Sequence, residues 1–145
     1  MPSRIAIACD HGGFDLKSVL LQKLTEEGYE VIDLGTNSTE SVDYPDKAHT
    51  LAEAILNKKA DRGILICGSG IGISIAANRH KGIRAALCTD PLMAKLSREH
   101  NDANVLCLGG RIVGSSLAAA MVDAFLHTDF AGGRHENRIK KIEIQ

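Results

Sequence analysis

The sequence predicts an α/β fold, a doubly wound (Rossmann-like) five-stranded parallel sheet in the order 2-1-3-4-5 with helices on both faces. Three observations predict it. Five short runs rich in Ile, Val and Leu are spread over the 145 residues. Between them lie segments whose apolar residues recur at helical spacing. Strict alternation of the two requires parallel strands joined by right-handed crossovers.

The runs are RIAIAC (4–9), YEVIDLG (29–35), GILIC (63–67), IRAALC (83–88) and NVLCLGG (104–110). After the first, Leu16, Leu20 and Leu24 recur every fourth residue with Val19 between them, while Lys17, Gln22 and Glu26 are expected to face water. Gly28 stops that helix. After the second, Pro45 suits a first helical position, and Ala48, Leu51, Ala52, Ile55 and Leu56 form the stripe. IGISIAANRH continues from the third run as a helix. DPLMAKLSREHN opens with an Asp cap and a Pro. SSLAAAMVDAFLHT is a strong helix former, and a last helix follows Gly133. No repeat, linker or low-complexity stretch intervenes, so residues 1–145 are expected to form a single domain.

Composition removes several function classes. Lys plus Arg number 17 against 18 Asp plus Glu, which gives no overall attraction to nucleic acid or membrane. Three Phe, two Tyr and no Trp leave little for base stacking. No apolar run approaches the ~18 residues of a membrane span, and the start of the chain lacks a signal-peptide core. The four cysteines, at 9, 67, 88 and 107, have neither metal-finger nor redox spacing. A cytoplasmic protein with reduced thiols and no metal is the expectation.

In an open α/β sheet, ligands bind beyond the carboxyl ends of the strands where strand order reverses. Here that point lies between the first and third strands, so CDHGG (9–13) and CGSGIG (67–72) should be neighbours. Glycines at 68, 70 and 72 permit close backbone approach, and the helix that follows turns free N–H groups toward the loop. The spacing is GxGxG, with Ile73 where a dinucleotide fingerprint needs glycine, and no Lys-Ser/Thr pair follows to make a Walker phosphate loop. Cys67 joins a strand end directly to this nest. A thiol beside helix-terminal N–H groups is the reactive kind, yet free cysteines are among the most buried residues. Position alone leaves both roles open.

Asp10 and His11 supply a carboxylate and an imidazole at the tip of the first strand; Asp10 could equally cap the helix from Phe14. His100 and Asn101 precede the fifth strand, and Arg111 follows it. Arg134 and Arg138 stand four apart, hence on one helical face, where two guanidinium forks suit a phosphate dianion or simply a solvated basic end. Tyr44 precedes a proline and could cover a small ligand.

Taken together, CDHGG, DYPD, ILICGSGIGISIAANRHKGIRA, SREHNDANVLCLGGR and GGRHENR closely resemble the type B ribose-5-phosphate isomerases, from Ile5 to about Ile142. The resemblance implies interconversion of an aldose phosphate and its ketose without metal or organic cofactor. It implies that Cys67 is the base moving a proton between C2 and C1, and that His100, with Asp10 nearby, opens the furanose ring. It places Ser69 beside the reacting carbons and the main chain of Gly68, Gly70, Ile71 and Gly72 around the enediolate oxygen. His11, Arg111, Arg134 and Arg138 map to phosphate positions, His135 to their neighbour, and Tyr44 and Asn101 to the sugar.

Relatives often carry Thr where Ser69 stands, and some use a Glu base; here residues 71–76 contain no acid, which favours the thiol. A homodimer or homotetramer with shared sites is implied. Ribose 5-phosphate is the expected substrate. A six-carbon aldose phosphate such as allose 6-phosphate is the nearest rival, and a non-catalytic nucleotide- or phosphosugar-binding module is the rival from another class.

Overall fold

The structure, a computed structural model, describes residues 2–144. Strands β1 (Arg4–Cys9), β2 (Glu30–Asp33), β3 (Arg62–Cys67), β4 (Ala85–Leu87) and β5 (Val105–Gly109) alternate with helices α1 (Phe14–Glu26), α2 (Tyr44–Leu56), α3 (Ile71–Ala77), α4 (Pro91–Asn101), α5 (Ser115–His127) and α6 (Arg134–Lys140). All strand pairs are parallel.

The sheet order is β2-β1-β3-β5-β4, which corrects the expected 2-1-3-4-5. Burial explains the exchange of the last two strands. Every residue of β5 is buried, whereas the three residues of β4 are each only partly covered. The longer apolar strand therefore takes the interior place, between β3 and β4, and the short one takes the margin. At that margin Asn78 acts as a substitute strand: its side-chain amide donates to Ala85 O (2.9 Å), and Ala85 N–H donates to its Oδ1 (2.8 Å).

Alternate residues of each strand feed two cores, as the two-residue period of a strand requires. Ile5, Ile7, Cys9, Ile64, Ile66, Leu106 and Leu108 meet α1 and α5 on one face. Ala6, Ala8, Leu65, Cys67, Val105 and Cys107 meet α2 and α3 on the other. α4 joins the first face through Ala94, as a right-handed crossover running back from β4 to β5 demands.

Local departures from the sequence reading are small and informative. α2 starts at Tyr44, one residue before the proline, with Asp43 at its N-cap. In α1, Lys17 is 2% exposed and Val19 is 47% exposed, the reverse of their expected positions. The stripe runs 17-20-24 beside 16-20-24, and an acidic partner from β2 makes the buried lysine tolerable. At the other end of the sheet, Asp61 clamps β1 to β3. Its carboxylate accepts from Ser3 N–H (3.0 Å) and Arg4 N–H (2.9 Å) and pairs with the Arg4 guanidinium (3.0 Å). These donors, the Arg4 amide foremost, bring its pKa down to about 2.

Candidate active site

β1 and β3 are neighbours, and both end at the same rim of the sheet. Beyond Cys9, Asp10 N–H donates to Ile66 O (3.1 Å), so the chain stays on the sheet for one more residue. It then tightens into a 3-10 turn, His11–Gly13, capped by Asp10, whose Oδ1 accepts from Gly12 N–H (2.9 Å). Asp10 therefore caps this turn; α1 itself starts at Phe14, with Gly13 at its N-cap and no side-chain cap. A Cβ on Gly12 would lie 3.0 Å from Gly68 N, so the two loops touch as their strand order predicts.

The nest forms because Gly70 adopts φ +81°, a left-handed conformation costly for any residue with a Cβ. That turn brings Gly70 N–H to 3.1 Å from the Cys67 sulfur and Ile71 N–H to 3.1 Å from Ser69 Oγ. The first bond internal to α3 is Ser74 N–H to Gly70 O (3.3 Å), which leaves the N–H groups of Gly72 and Ile73 without helical acceptors. The exit of β5 is tied to the same loop. Gly110 N–H donates to Cys67 O (2.8 Å) and Arg111 N–H to Gly68 O (3.0 Å). A Cβ on Gly68 would stand 3.4 Å from Arg111 Nη1, and one on Gly72 only 2.6 Å from Tyr44 Cζ. Both side chains therefore lie directly against the nest.

These groups line a cleft of about 530 Å³: Asp10, Tyr44, Cys67, Ser69 and Arg111, together with Gly68, Ile71 and Gly72. Cys67 is 5% exposed and opens to this cleft rather than being sealed in hydrocarbon. His11 begins the turn beside Asp10, and its Nδ1 accepts from Val42 N–H at 3.2 Å. The imidazole proton is therefore held on Nε2. Ile112, which also lines the cleft, was missed by the sequence reading; its signal was its place one residue after Arg111.

The remaining three thiols do not line the cleft. Burial pushes Cys88 up to about 11, and burial likewise raises Cys9 and Cys107. All four cysteines are free. Among the described residues, no group of three or more His, Cys, Asp or Glu side chains is placed to hold a metal ion. Nor is any described helix long and apolar enough to cross a membrane.

Five sequence-predicted residues are not brought to this cleft within one chain. α4 starts after β4 and runs back across the sheet, so His100 and Asn101 end near the starts of β4 and β5. That is the far rim, roughly 13–15 Å from Cys67 along the strands. Asn101 O accepts from Arg84 Nε there (2.9 Å), and Asn101 walls a separate cavity of about 760 Å³ with Arg79, Lys81 and Ile142. α6 docks beside α4: Ala131 N–H donates to Glu99 O (3.1 Å), and the His135 ring stacks on His100. Arg134 and Arg138 share that helix. The proximity of His100 to Asp10 expected from the sequence is thus absent within a single chain, because α4 carries the two to opposite rims.

Fold and cleft first define a class: α/β enzymes that carry their chemistry at the switch point of an open parallel sheet. The family profile described as Ribose/Galactose Isomerase matches residues 5–142. Ribose-5-phosphate isomerase B of Escherichia coli K12 is 52% identical over 139 residues, covering 96% of this chain and 93% of that one. A solved ribose 5-phosphate isomerase from Thermotoga maritima superposes with a TM-score of 0.96 at 57% identity, covering 97% of each chain. The Mycoplasma genitalium ribose-5-phosphate isomerase B, solved with bound ribulose-5-phosphate, gives a TM-score of 0.92 at 45% identity, covering 96% of this chain and 93% of that one. The chain belongs to the Ribose/Galactose Isomerase family and is an aldose–ketose isomerase.

Proposed function

We propose that the chain interconverts ribose 5-phosphate and ribulose 5-phosphate. The observation that carries this reading is the Gly70 N–H at 3.1 Å from the Cys67 sulfur, inside a cleft that also holds Asp10, Ser69 and Arg111. A proton beside a carbonyl is removable only if the resulting oxyanion is stabilised, so base and donors must converge on a two-carbon fragment. The Cys67 thiolate takes the C2 proton of the open-chain aldose, and the C2 electron pair forms the C1–C2 double bond as the carbonyl electrons move to oxygen. The nest N–H groups hold that enediolate oxygen, with the Ser69 hydroxyl beside it. The O2 hydroxyl proton passes to O1, and as the C2 carbonyl forms the C1–C2 electron pair takes the proton back from the Cys67 thiol at C1, giving the ketose and restoring the thiolate. His11 Nε2–H and the Arg111 guanidinium bind the phosphate.

A second copy of the chain completes the site. It brings His100 for ring opening, Asn101 for the sugar, and Arg134, His135 and Arg138 for the phosphate. Support comes from their clustering at the far rim, where they have no reacting group to serve in their own chain. The mouth of the cleft also presents exposed Tyr44, Ile71 and Ile112, an apolar border suited to burial against another subunit.

The test is an isomerase assay with ribose 5-phosphate and allose 6-phosphate on wild type and Cys67→Ala. The five-carbon substrate is expected to turn over faster, and Cys67→Ala to lose at least ~10²-fold in kcat. Near-normal turnover in the variant overturns the assignment of the base. Mixing inactive Cys67→Ala and Arg134→Ala chains is expected to restore about a quarter of wild-type activity if each site draws on two chains. No recovery overturns the shared site.

A further inference from the structure

We propose that Lys17, acting through Asp33, is a positioning residue for the phosphate side of the cleft; the proposal rests on the reading of His11 as a phosphate ligand. Lys17 is among the largest fully buried side chains of the described residues, and it is the charged one in that group. Its ammonium sits 2.8 and 3.0 Å from the two carboxylate oxygens of Asp33 and 3.4 Å from Asn37 Oδ1. A buried ammonium is expensive even when paired, and an apolar side chain of the same volume usually serves stability as well or better. Its presence therefore needs a reason beyond the packing of α1.

The reason lies in the ten residues between β2 and α2. Asp33 Oδ1 also accepts from Gly35 N–H (3.0 Å), so the ion pair fixes the first turn of segment 34–43. That turn is laced to the tip of β1: Cys9 N–H donates to Gly35 O (2.6 Å), and Thr36 N–H donates to Cys9 O (2.9 Å). The far end of the segment returns to the same strand tip, where Val42 N–H meets His11 Nδ1 (3.2 Å). Two residues later Tyr44 enters the cleft against Gly72. The segment has no helix or strand of its own. The Lys17–Asp33 pair anchors its start, and its end sets the His11 tautomer and the place of Tyr44.

An anchored Val42 N–H keeps the His11 proton on Nε2, where it serves as a donor toward phosphate oxygen. A loosened segment lets the proton exchange between the two nitrogens and costs part of that donor's occupancy. Loss of the pair should therefore weaken phosphate binding much more than it slows proton transfer at Cys67.

The experiment uses the full chain carrying Lys17→Met, and the double variant Lys17→Met/Asp33→Asn. The double variant leaves no orphan charge and keeps the question open if the single variant fails to fold. Three readouts are compared with wild type: steady-state kinetics with ribose 5-phosphate, calorimetric affinity for inorganic phosphate, and the long-range ¹H–¹⁵N spectrum of the His11 ring. The expected result is a KM raised by roughly tenfold with kcat within about twofold, phosphate affinity weakened by a similar factor, and a His11 spectrum shifted from a single Nε2–H tautomer to a mixture. A folded double variant with wild-type KM, phosphate affinity and His11 spectrum overturns the proposal. So does lower thermal stability with a fall in kcat alone, which is the mark of a purely structural pair. A wild type that binds phosphate yet turns over no sugar phosphate overturns the isomerase reading instead, because the phosphate and spectral readouts do not depend on turnover.

Discussion

The imidazoles of His100 and His135 stack with ring centroids 4.5 Å apart and planes inclined by 16°. The contact joins the last turn of α4 to the first turn of α6, which also carries Arg134 and Arg138. Partial burial, with the like charges of His100, Arg134 and Arg138 added, holds the His135 pKa below its ordinary value. A dianion placed among these groups reverses the electrostatic part of that shift. In an NMR titration, His135 should therefore titrate below the ~6.5 of a free imidazole and move upward when ribose 5-phosphate is added. An unchanged titration with saturating ligand would remove this cluster from the phosphate site.

The thiols should separate cleanly by reactivity. Iodoacetamide at neutral pH is expected to modify Cys67 alone in the folded chain, with ribose 5-phosphate protecting it. Cys88, pushed up to about 11, and the buried Cys9 and Cys107 should react only after unfolding. Peptide mapping by mass spectrometry reads the outcome. Modification of Cys88 ahead of Cys67 would contradict it.

Gly72→Ala tests how closely Tyr44 is held. The new methyl would fall 2.6 Å from Tyr44 Cζ, so the ring must leave its place in the cleft. Stability should fall by roughly 1–3 kcal/mol from overpacking, and KM should rise. Adding Tyr44→Ala should restore most of the stability without restoring KM. Thermal unfolding and kinetics on the single and double variants distinguish the two effects.

Asp61→Asn should change the acid dependence of stability. The folded carboxyl, at about 2, lies below the ~3.9 of an unfolded Asp. Its contribution is therefore complete above pH 4 and is lost as pH falls from 4 toward 2. Because the group is partly exposed, about 1 kcal/mol at neutral pH is expected after solvent screening. Denaturant titrations of wild type and variant should differ above pH 4 and converge near pH 2.

The sequence carried the α/β alternation and the meeting of Asp10 with the Cys67 loop, because both follow from period, hand and strand order near β1. It did not carry the exchange of β4 and β5. IRAALC and NVLCLGG look alike as apolar runs, and only the packed sheet reveals that β4 contributes three half-covered residues while β5 is buried throughout. Lys17 was misread for a related reason. A helical stripe identifies which face is covered, but the carboxylate that makes a covered lysine acceptable comes from Asp33, on a different element. His100 and Arg134 showed their chemistry in the chain, yet the rim on which they fall depends on the direction in which α4 crosses the sheet.

The amide of Asn78 has a consequence away from catalysis. A bare outer strand offers its main chain to any extended segment that drifts past, which is how folded sheets seed fibrils. At Ala85 both outward-facing main-chain groups are already engaged by one side chain. Replacing that carboxamide with a group that cannot pair would leave the flank sticky, and the first symptom should be turbidity in concentrated stocks while turnover in dilute solution stays intact.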